Sequence, residues 1–179
     1  MTHEDVMTFW FSELEPKQWW VKDQALDEQI KHRFGAVHQQ AHSGEHASWR
    51  NTARGSLAEV IVLDQFSRNI FRDAPESFAS DPLALALAQT AISKGFDREL
   101  TQTECGFLYM PFMHSESPLV HLEAVKLIQQ LDNPEQLDFE YKHKAIIDKF
   151  GRYPHRNAIL DRTSTEEELA FLQQPNSSF

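Results

Sequence analysis

Signals that begin and end α-helices recur at short intervals along the whole chain, and they constrain its fold more than any other feature. Helix starts are expected near residues 53, 82, 103, 118 and 135, most of them marked by a capping residue or an early proline. Thr101 with Glu104 fits a capping box, and Ser117-Pro118 combines a cap with proline. The short segments between these starts predict antiparallel helical hairpins packed on one another.

The remaining segments extend the helical pattern to both ends of the chain, and we find no convincing strand pattern. Further helix starts are expected at Thr2, after Asp23 and at Ser164. We therefore predict an all-α fold of about eight helices in stacked hairpins. Residues 1–174 are expected to form one domain, followed by a frayed tail at residues 175–179.

Charge and composition argue against several classes of partner. The 179 residues include 27 acidic and 17 basic side chains, for a formal net charge of −10. This acidity disfavours binding to nucleic acid or to an anionic membrane surface. The longest uninterrupted apolar run, Leu83–Ala88, is far shorter than a membrane helix requires, and the first residues do not resemble a signal peptide. With Cys105 as its single cysteine, the chain is expected to be a cytoplasmic protein.

The expected third helix, from about Ala53 to Phe71, carries the first candidate site. At 100° per residue its apolar side chains fill a sector of about 180°. Its polar side chains lie opposite, and they are Asp64, Gln65, Arg68, Asn69 and Arg72. One interpretation is a solvated helix face with a weak ion pair. The other is a polar wall that lines a ligand-binding groove.

A second candidate site lies in a basic segment near the C-terminus. Residues 142–162 contain six basic and two acidic side chains, so their net charge is +4, although the net charge of the whole chain is −10. Within them residues 151–157 are expected to form a non-helical turn that presents Arg152, His155, Arg156 and Asn157. Forked arginine donors beside a histidine suit a phosphate or carboxylate. Alternatively, these arginines tie the C-terminal segment to acidic helices.

The third candidate site is the segment 110–116, where His114 and Glu116 lie between two expected helices. His114 could act as a general base oriented by Glu116 or by Asp64, or it could cap a helix end. With His121 and Glu123 the segment gives two His-x-Glu pairs seven residues apart. This spacing fits no metal-binding motif that we can justify, so we expect neither a metal nor a cofactor.

Five ordered strings also carry a family resemblance. They are LDQFSRNIFR at 63–72, DPLALA at 81–86, FLYMPFMHSE at 107–116, FGRYPHRN at 150–157 and STEE at 164–167. The chain resembles, over nearly its whole length, the bacterial family known as domain of unknown function 924. The resemblance implies an all-α fold similar to tetratricopeptide-like arrays and supplies no activity. Two positions depart from the family pattern: Ser67 replaces an expected proline, which predicts a more regular helix, and Asp161 replaces an expected glycine.

Three functions are compatible with these patterns. The first is binding of a small anionic molecule or an acidic peptide end in a groove formed by the Asp64–Arg72 face and the Arg152–Asn157 turn. The second is a metal-independent hydrolase or transferase for an anionic metabolite, with His114 or His155 as general acid or base and arginines stabilising an oxyanion. The third is a scaffold in which these polar residues fix helix packing. The sequence leaves the oligomeric state open.

Overall fold

The computed structural model describes residues 1–175 and 177–178, and within them it contains helices and turns but no strand. One single-turn helix, Glu76–Ala79, lies between the third and fourth of the longer helices. Two helices continue into a π-helical turn, in which the backbone hydrogen bonds span five residues instead of four. The longer helices are α1 (His3–Thr8, continued by the π turn Phe9–Glu13), α2 (Gln24–His42), α3 (Ala53–Ile61, continued by the π turn Val62–Phe66 and by Ser67–Ile70), α4 (Asp81–Ser93), α5 (Gln102–Met113), α6 (Pro118–Ile128), α7 (Pro134–Phe150) and α8 (Glu166–Leu172). The all-α prediction is therefore confirmed.

Local capping explains most of the helix boundaries. The Thr101–Glu104 capping box opens α5 as predicted, and the Asp23 side chain accepts hydrogen bonds from two backbone N–H groups at the start of α2. Two predicted starts are shifted by one residue. Ser80 caps α4, so that Asp81 is its first helical residue, and the capping box of α8 begins at Thr165 instead of Ser164.

Helix α3 lies at the centre of the molecule and packs against α1, α2, α4 and α5. Every side chain from Leu57 to Ser67 is buried, including those of Asp64 and Gln65. The interpretation of these polar residues as a solvated face is therefore wrong for Asp64 and Gln65, which are buried, whereas Arg68, Asn69 and Arg72 are half-buried. The expected regularity at Ser67 is also wrong, since a π turn immediately precedes this residue.

The C-terminal half continues the packing of successive helices. Helix α5 packs on α6 and α6 on α7, while Tyr153 joins Ile146 and Ile147 in a second, smaller apolar cluster. The expected turn after α7 begins with Gly151 at φ +68°, but a 3-10 turn, Pro154–Arg156, replaces part of the non-helical segment. The tetratricopeptide-like arrangement and the single-domain boundary remain predictions.

The predicted frayed tail includes Asn176 and Phe179, which lie outside the described residues. Within the same segment, the Ser177 hydroxyl donates a hydrogen bond to the Leu172 carbonyl at 3.2 Å. Among the described helices, none combines the length and the apolar character needed to cross a membrane.

Candidate functional site

A buried histidine–aspartate pair joins two of the segments that the sequence singled out. The side chain of Asp64 lies in the π turn of α3 and is 1 % exposed. Its Oδ1 is 2.7 Å from Nδ1 of His114, and its Oδ2 accepts a hydrogen bond of 2.6 Å from the Gln65 amide. Of the two carboxylates considered for orienting His114, Asp64 is therefore the one in contact with it.

The proton positions in this pair follow from its surroundings. Burial opposes the ionisation of Asp64, but its interactions with His114 and Arg68 outweigh burial and hold its pKa well below the usual range. Burial and the Arg68 cation lower the pKa of His114 despite the opposing effect of Asp64. At neutral pH His114 is therefore uncharged, its Nδ1–H donates to the Asp64 carboxylate, and its Nε2 carries a lone pair.

Asp81 connects two arginines on the other side of this pair. Its carboxylate accepts both arms of the Arg68 guanidinium, at 2.9 and 3.0 Å, and one contact of 3.3 Å from Nη1 of Arg156. The second Nη of Arg156 donates to the His114 carbonyl at 3.0 Å. In the sequence, Asp81 is distinguished only by its place in the DPLALA string, at the helix start expected near residue 82. Its spacing of 13 and 75 residues from the two arginines gave no local signal of these pairs.

The Arg156 side chain is 8 % exposed and lies between two aromatic rings. Its guanidinium carbon is 4.5 Å from the ring centre of Phe78 and 4.7 Å from that of Tyr153, which is a favourable cation–π geometry. Burial and repulsion from Arg68 lower its pKa, although a guanidinium remains protonated in proteins. Its Nε is buried and has no hydrogen-bond acceptor among the described residues.

The other arginine of the C-terminal turn has a structural partner. Arg152 donates to both oxygens of Glu168, at 2.7 and 2.8 Å, and Asn157 donates to the same carboxylate at 3.3 Å. Glu116 accepts hydrogen bonds from both Nη atoms of Arg162, at 2.7 and 2.9 Å, and from the Tyr153 backbone. These contacts fasten the C-terminal segment to α8 and to the loop after α5.

The last two residues of the predicted polar face also hold helices together. Arg72 donates to both oxygens of Asp27 on α2, and Asn69 donates to the same carboxylate at 2.8 Å. Neither residue lines the cavity described below. The residues of the predicted polar face therefore form two groups. Asp64 and Arg68 lie near His114, whereas Asn69 and Arg72 bind Asp27 on α2.

A second buried pair supports the loop that carries His114. Nδ1 of His121 is 2.7 Å from the carboxylate of Glu140, and its Nε2 is 2.8 Å from the Ser115 carbonyl, so Nε2 must donate. Both side chains are fully buried, and burial raises the pKa of Glu140. A proton therefore lies between the His121 and Glu140 side chains, on α6 and α7. The hydrogen bond from Nε2 of His121 holds the Ser115 carbonyl in place.

A cavity of about 490 Å³ opens beside the polar cluster. Its apolar wall comes from the segment around Glu76–Ala79, the first turns of α4, the end of α5 and the C-terminal segment. That wall consists of Pro75, Phe78, Ala79, Pro82, Leu85, Pro111 and Leu160. The polar end consists of Asp81, His114, Ser115, Glu116 and Arg156. The volume is that of a small-molecule site.

His155, the other candidate catalytic histidine, does not line this cavity. Burial and the positive charge of Arg156 lower its pKa to about 4, and its ring centre is 5.6 Å from that of Tyr153. Among residues 1–175 and 177–178, no group of three or more His, Cys, Asp or Glu side chains could hold a metal ion.

The fold and the site define an all-helical protein in which a largely buried network of arginines, carboxylates and one histidine borders a cavity of about 490 Å³. Residues 6–176 match the family described as bacterial protein of unknown function (DUF924), and the chain belongs to that family. A solved structure of a protein of unknown function from Agrobacterium tumefaciens is similar to it, with 37% identity, a TM-score of 0.91 and coverage of 96% of each chain. Among curated proteins, none matches this sequence.

Proposed function

We propose that this protein binds a small organic anion in the cavity, with an apolar body against Phe78, Leu85 and Leu160 and the anionic group beside Arg156 and His114. Seven of the twelve lining residues are apolar, and the hydrogen bonds of Arg156 to Asp81 and to the His114 carbonyl hold three of the polar ones together. A ligand with one charged end and an apolar body matches that distribution.

The observation that carries this proposal is the state of Arg156. A guanidinium has five N–H donors, and buried donors are almost always paired with an acceptor. Arg156 is buried and lines the cavity, yet its Nε has no acceptor among the described residues. An anionic group in the cavity would lie beside this incompletely paired cation.

Compared with the groove expected from the sequence, the proposed site is smaller. It keeps His114, Glu116 and Arg156 in the wall, with Asp64, Gln65 and Arg68 supporting them from behind. It leaves out Arg72 and Asn69, which bind Asp27, and Arg152 and Asn157, which bind Glu168.

The first prediction concerns binding of carboxylates. Hexanoate and phenylacetate at about ten times Kd should raise the melting temperature by about 3–5 °C, whereas the neutral amides of the same acids should not. The Arg156→Met variant should lose this shift, because the cation that faces the anionic group is gone. It should still fold, since Asp81 keeps both hydrogen bonds from Arg68.

Arg152→Met is the matched control, because Arg152 lies on the same turn and binds a buried carboxylate but does not line the cavity. It should keep the full carboxylate-induced shift, measured from its own baseline. Equal shifts in the two variants, or an equal shift with the amides, would contradict the proposal.

The contact between Asp64 and His114 favours a second candidate function, hydrolysis of an ester of such an acid. An ionised carboxylate that fixes the Nδ1–H tautomer leaves Nε2 as a base beside the cavity. Nε2 would take a proton from water as the water oxygen attacks the ester carbonyl. It would then return the proton to the departing alkoxide, giving the acid and the alcohol.

The second prediction tests this activity with p-nitrophenyl hexanoate and p-nitrophenyl phenylacetate. If His114 is the base, His114→Gln should lower kcat/KM by at least about 100-fold. Asp64→Asn should also lower it, because the wrong tautomer would be favoured. His32→Gln, which changes an exposed histidine of α2, should have no effect. Wild-type turnover no faster than that of His114→Gln would exclude this role.

A further inference from the structure

The charges around the cavity are balanced before any ligand arrives. Among the polar residues of its wall and directly behind them, three cations form ion pairs with three carboxylates. The cations are Arg68, Arg156 and Arg162, and the carboxylates are Asp64, Asp81 and Glu116. With His114 neutral, this set has no net charge, so a bound anion would add an uncompensated negative charge to a largely buried cluster.

From this balance we infer that the ligand is a monocarboxylate and that its binding is coupled to the uptake of one proton by His114. The inference rests on the proposed function and specifies both the class of ligand and the way its charge is neutralised.

His114 is the group placed to take that proton. It lines the cavity, and its Nδ1–H already donates to Asp64. Protonation at Nε2 would create an imidazolium between the buried carboxylate of Asp64 and the ligand carboxylate. The new cation would then donate to both, and the guanidinium of Arg156 would face the same end of the cavity.

Charged and titratable groups on each element packed around His114 interact with it electrostatically. Helix α3 contributes a carboxylate and a cation, α4 a carboxylate, α7 a histidine, and the C-terminal turn a histidine and a cation. These groups are Asp64, Arg68, Asp81, His143, His155 and Arg156. On its own loop, Glu116 is already bonded to Arg162. Burial lowers the pKa of His143 to about 3 and that of His155 to about 4, so neither is a ready proton acceptor near neutral pH.

The charge balance of the cluster also disfavours binding of a dianion. Protonation of His114 compensates one negative charge, and a phosphate dianion would leave a second charge without a partner in a largely buried cluster. A planar carboxylate with an apolar body also matches the distribution of polar and apolar residues in the wall.

The pH dependence has a definite sign. A ligand anion favours the charged form of His114 and so raises its pKa from the lowered value of the free protein. Below the lowered pKa, His114 is already protonated and affinity is highest. Between the two pKa values each binding event takes up a proton, and affinity falls by about tenfold per pH unit. The ligand carboxyl is ionised above about pH 6, since carboxylic acids have pKa values of about 4–5.

The third prediction uses titration calorimetry with hexanoate and phenylacetate at one pH, in PIPES and in Tris, whose ionisation enthalpies differ. Binding should take up about one proton. NMR titration should show that the carboxylate raises the pKa of the His114 imidazole. His114→Gln should bind more weakly, without proton uptake, whereas His32→Gln should behave as wild type.

Each failure points to a different conclusion. Carboxylate binding without proton uptake, uptake that persists in His114→Gln, an unmoved His114 titration, or tighter binding of inorganic phosphate would overturn this inference and leave the proposed function standing. Absence of binding by both carboxylates would overturn the proposed function itself.

Discussion

Replacing Arg68 with methionine should lower the free energy of unfolding by about 3–5 kcal/mol, because breaking a buried ion pair leaves an uncompensated buried charge. Arg68 donates to both oxygens of Asp81 and lies 3.4 Å from the carboxylate of Asp64. It also donates to the Asp64 backbone carbonyl at 2.6 Å. Methionine keeps much of the apolar volume of the side chain, so the loss reports mainly the missing cation. Urea unfolding followed by circular dichroism measures it.

Lys17→Met provides the comparison for this fourth prediction. Lys17 pairs with Glu15 at 2.8 Å, but both side chains are mostly exposed. Solvent and salt screen an exposed pair, so it contributes little and this variant should unfold near the wild-type midpoint. If Arg68→Met lost no more stability than Lys17→Met, the buried network would not be a determinant of stability. The interpretation of these arginines as packing residues would then also fail.

Gly55→Ala should be the most damaging small substitution, with a loss of about 3 kcal/mol in the free energy of unfolding. A Cβ at this position would lie 2.1 Å from the Trp49 carbonyl oxygen and 2.9 Å from Oγ1 of Thr52. The Thr52 hydroxyl accepts a hydrogen bond from the Gly55 N–H and thereby caps α3. The backbone before α3 would have to move, and the cap would be lost with it.

Gly35→Ala is a matched control for this fifth prediction. Gly35 lies inside α2, and a Cβ there would meet no atom within 4 Å. Alanine in a helix interior is more stable than glycine by about 1 kcal/mol, so this variant should gain stability. Thermal unfolding of the two variants should therefore move in opposite directions. A neutral Gly55→Ala would show that the Trp49 turn moves aside at little cost.

Both predictions depend on the region around α3, which sequence patterns described least well. The periodicity of residues 53–71 predicted one apolar and one polar face, yet all the side chains from Leu57 to Ser67 are buried. A π turn at Val62–Phe66 adds one residue to the helical turn and changes the direction of every later side chain. Periodicity assumes a constant 100° per residue, so it does not register such an insertion.

The candidate site was predictable in its members but not in its pairings. Asp64, His114, Glu116, Arg68 and Arg156 were all singled out from the sequence. The sequence did not indicate whether Asp64 or Glu116 would contact His114, and it did not indicate that Asp81 belongs to the cluster. In the structure Glu116 binds Arg162, which leaves Asp64 in contact with His114.

By itself, the sequence determined the all-helical class, the family and the approximate starts of the longer helices, because capping bonds join groups only two or three residues apart. The tertiary structure alone decided which polar residues surround the cavity and which merely hold helices together. Those pairs join residues as far as 75 positions apart. The packing of α3 against its neighbours sets their distances, and burial determines which charges must be paired and which proton His114 carries.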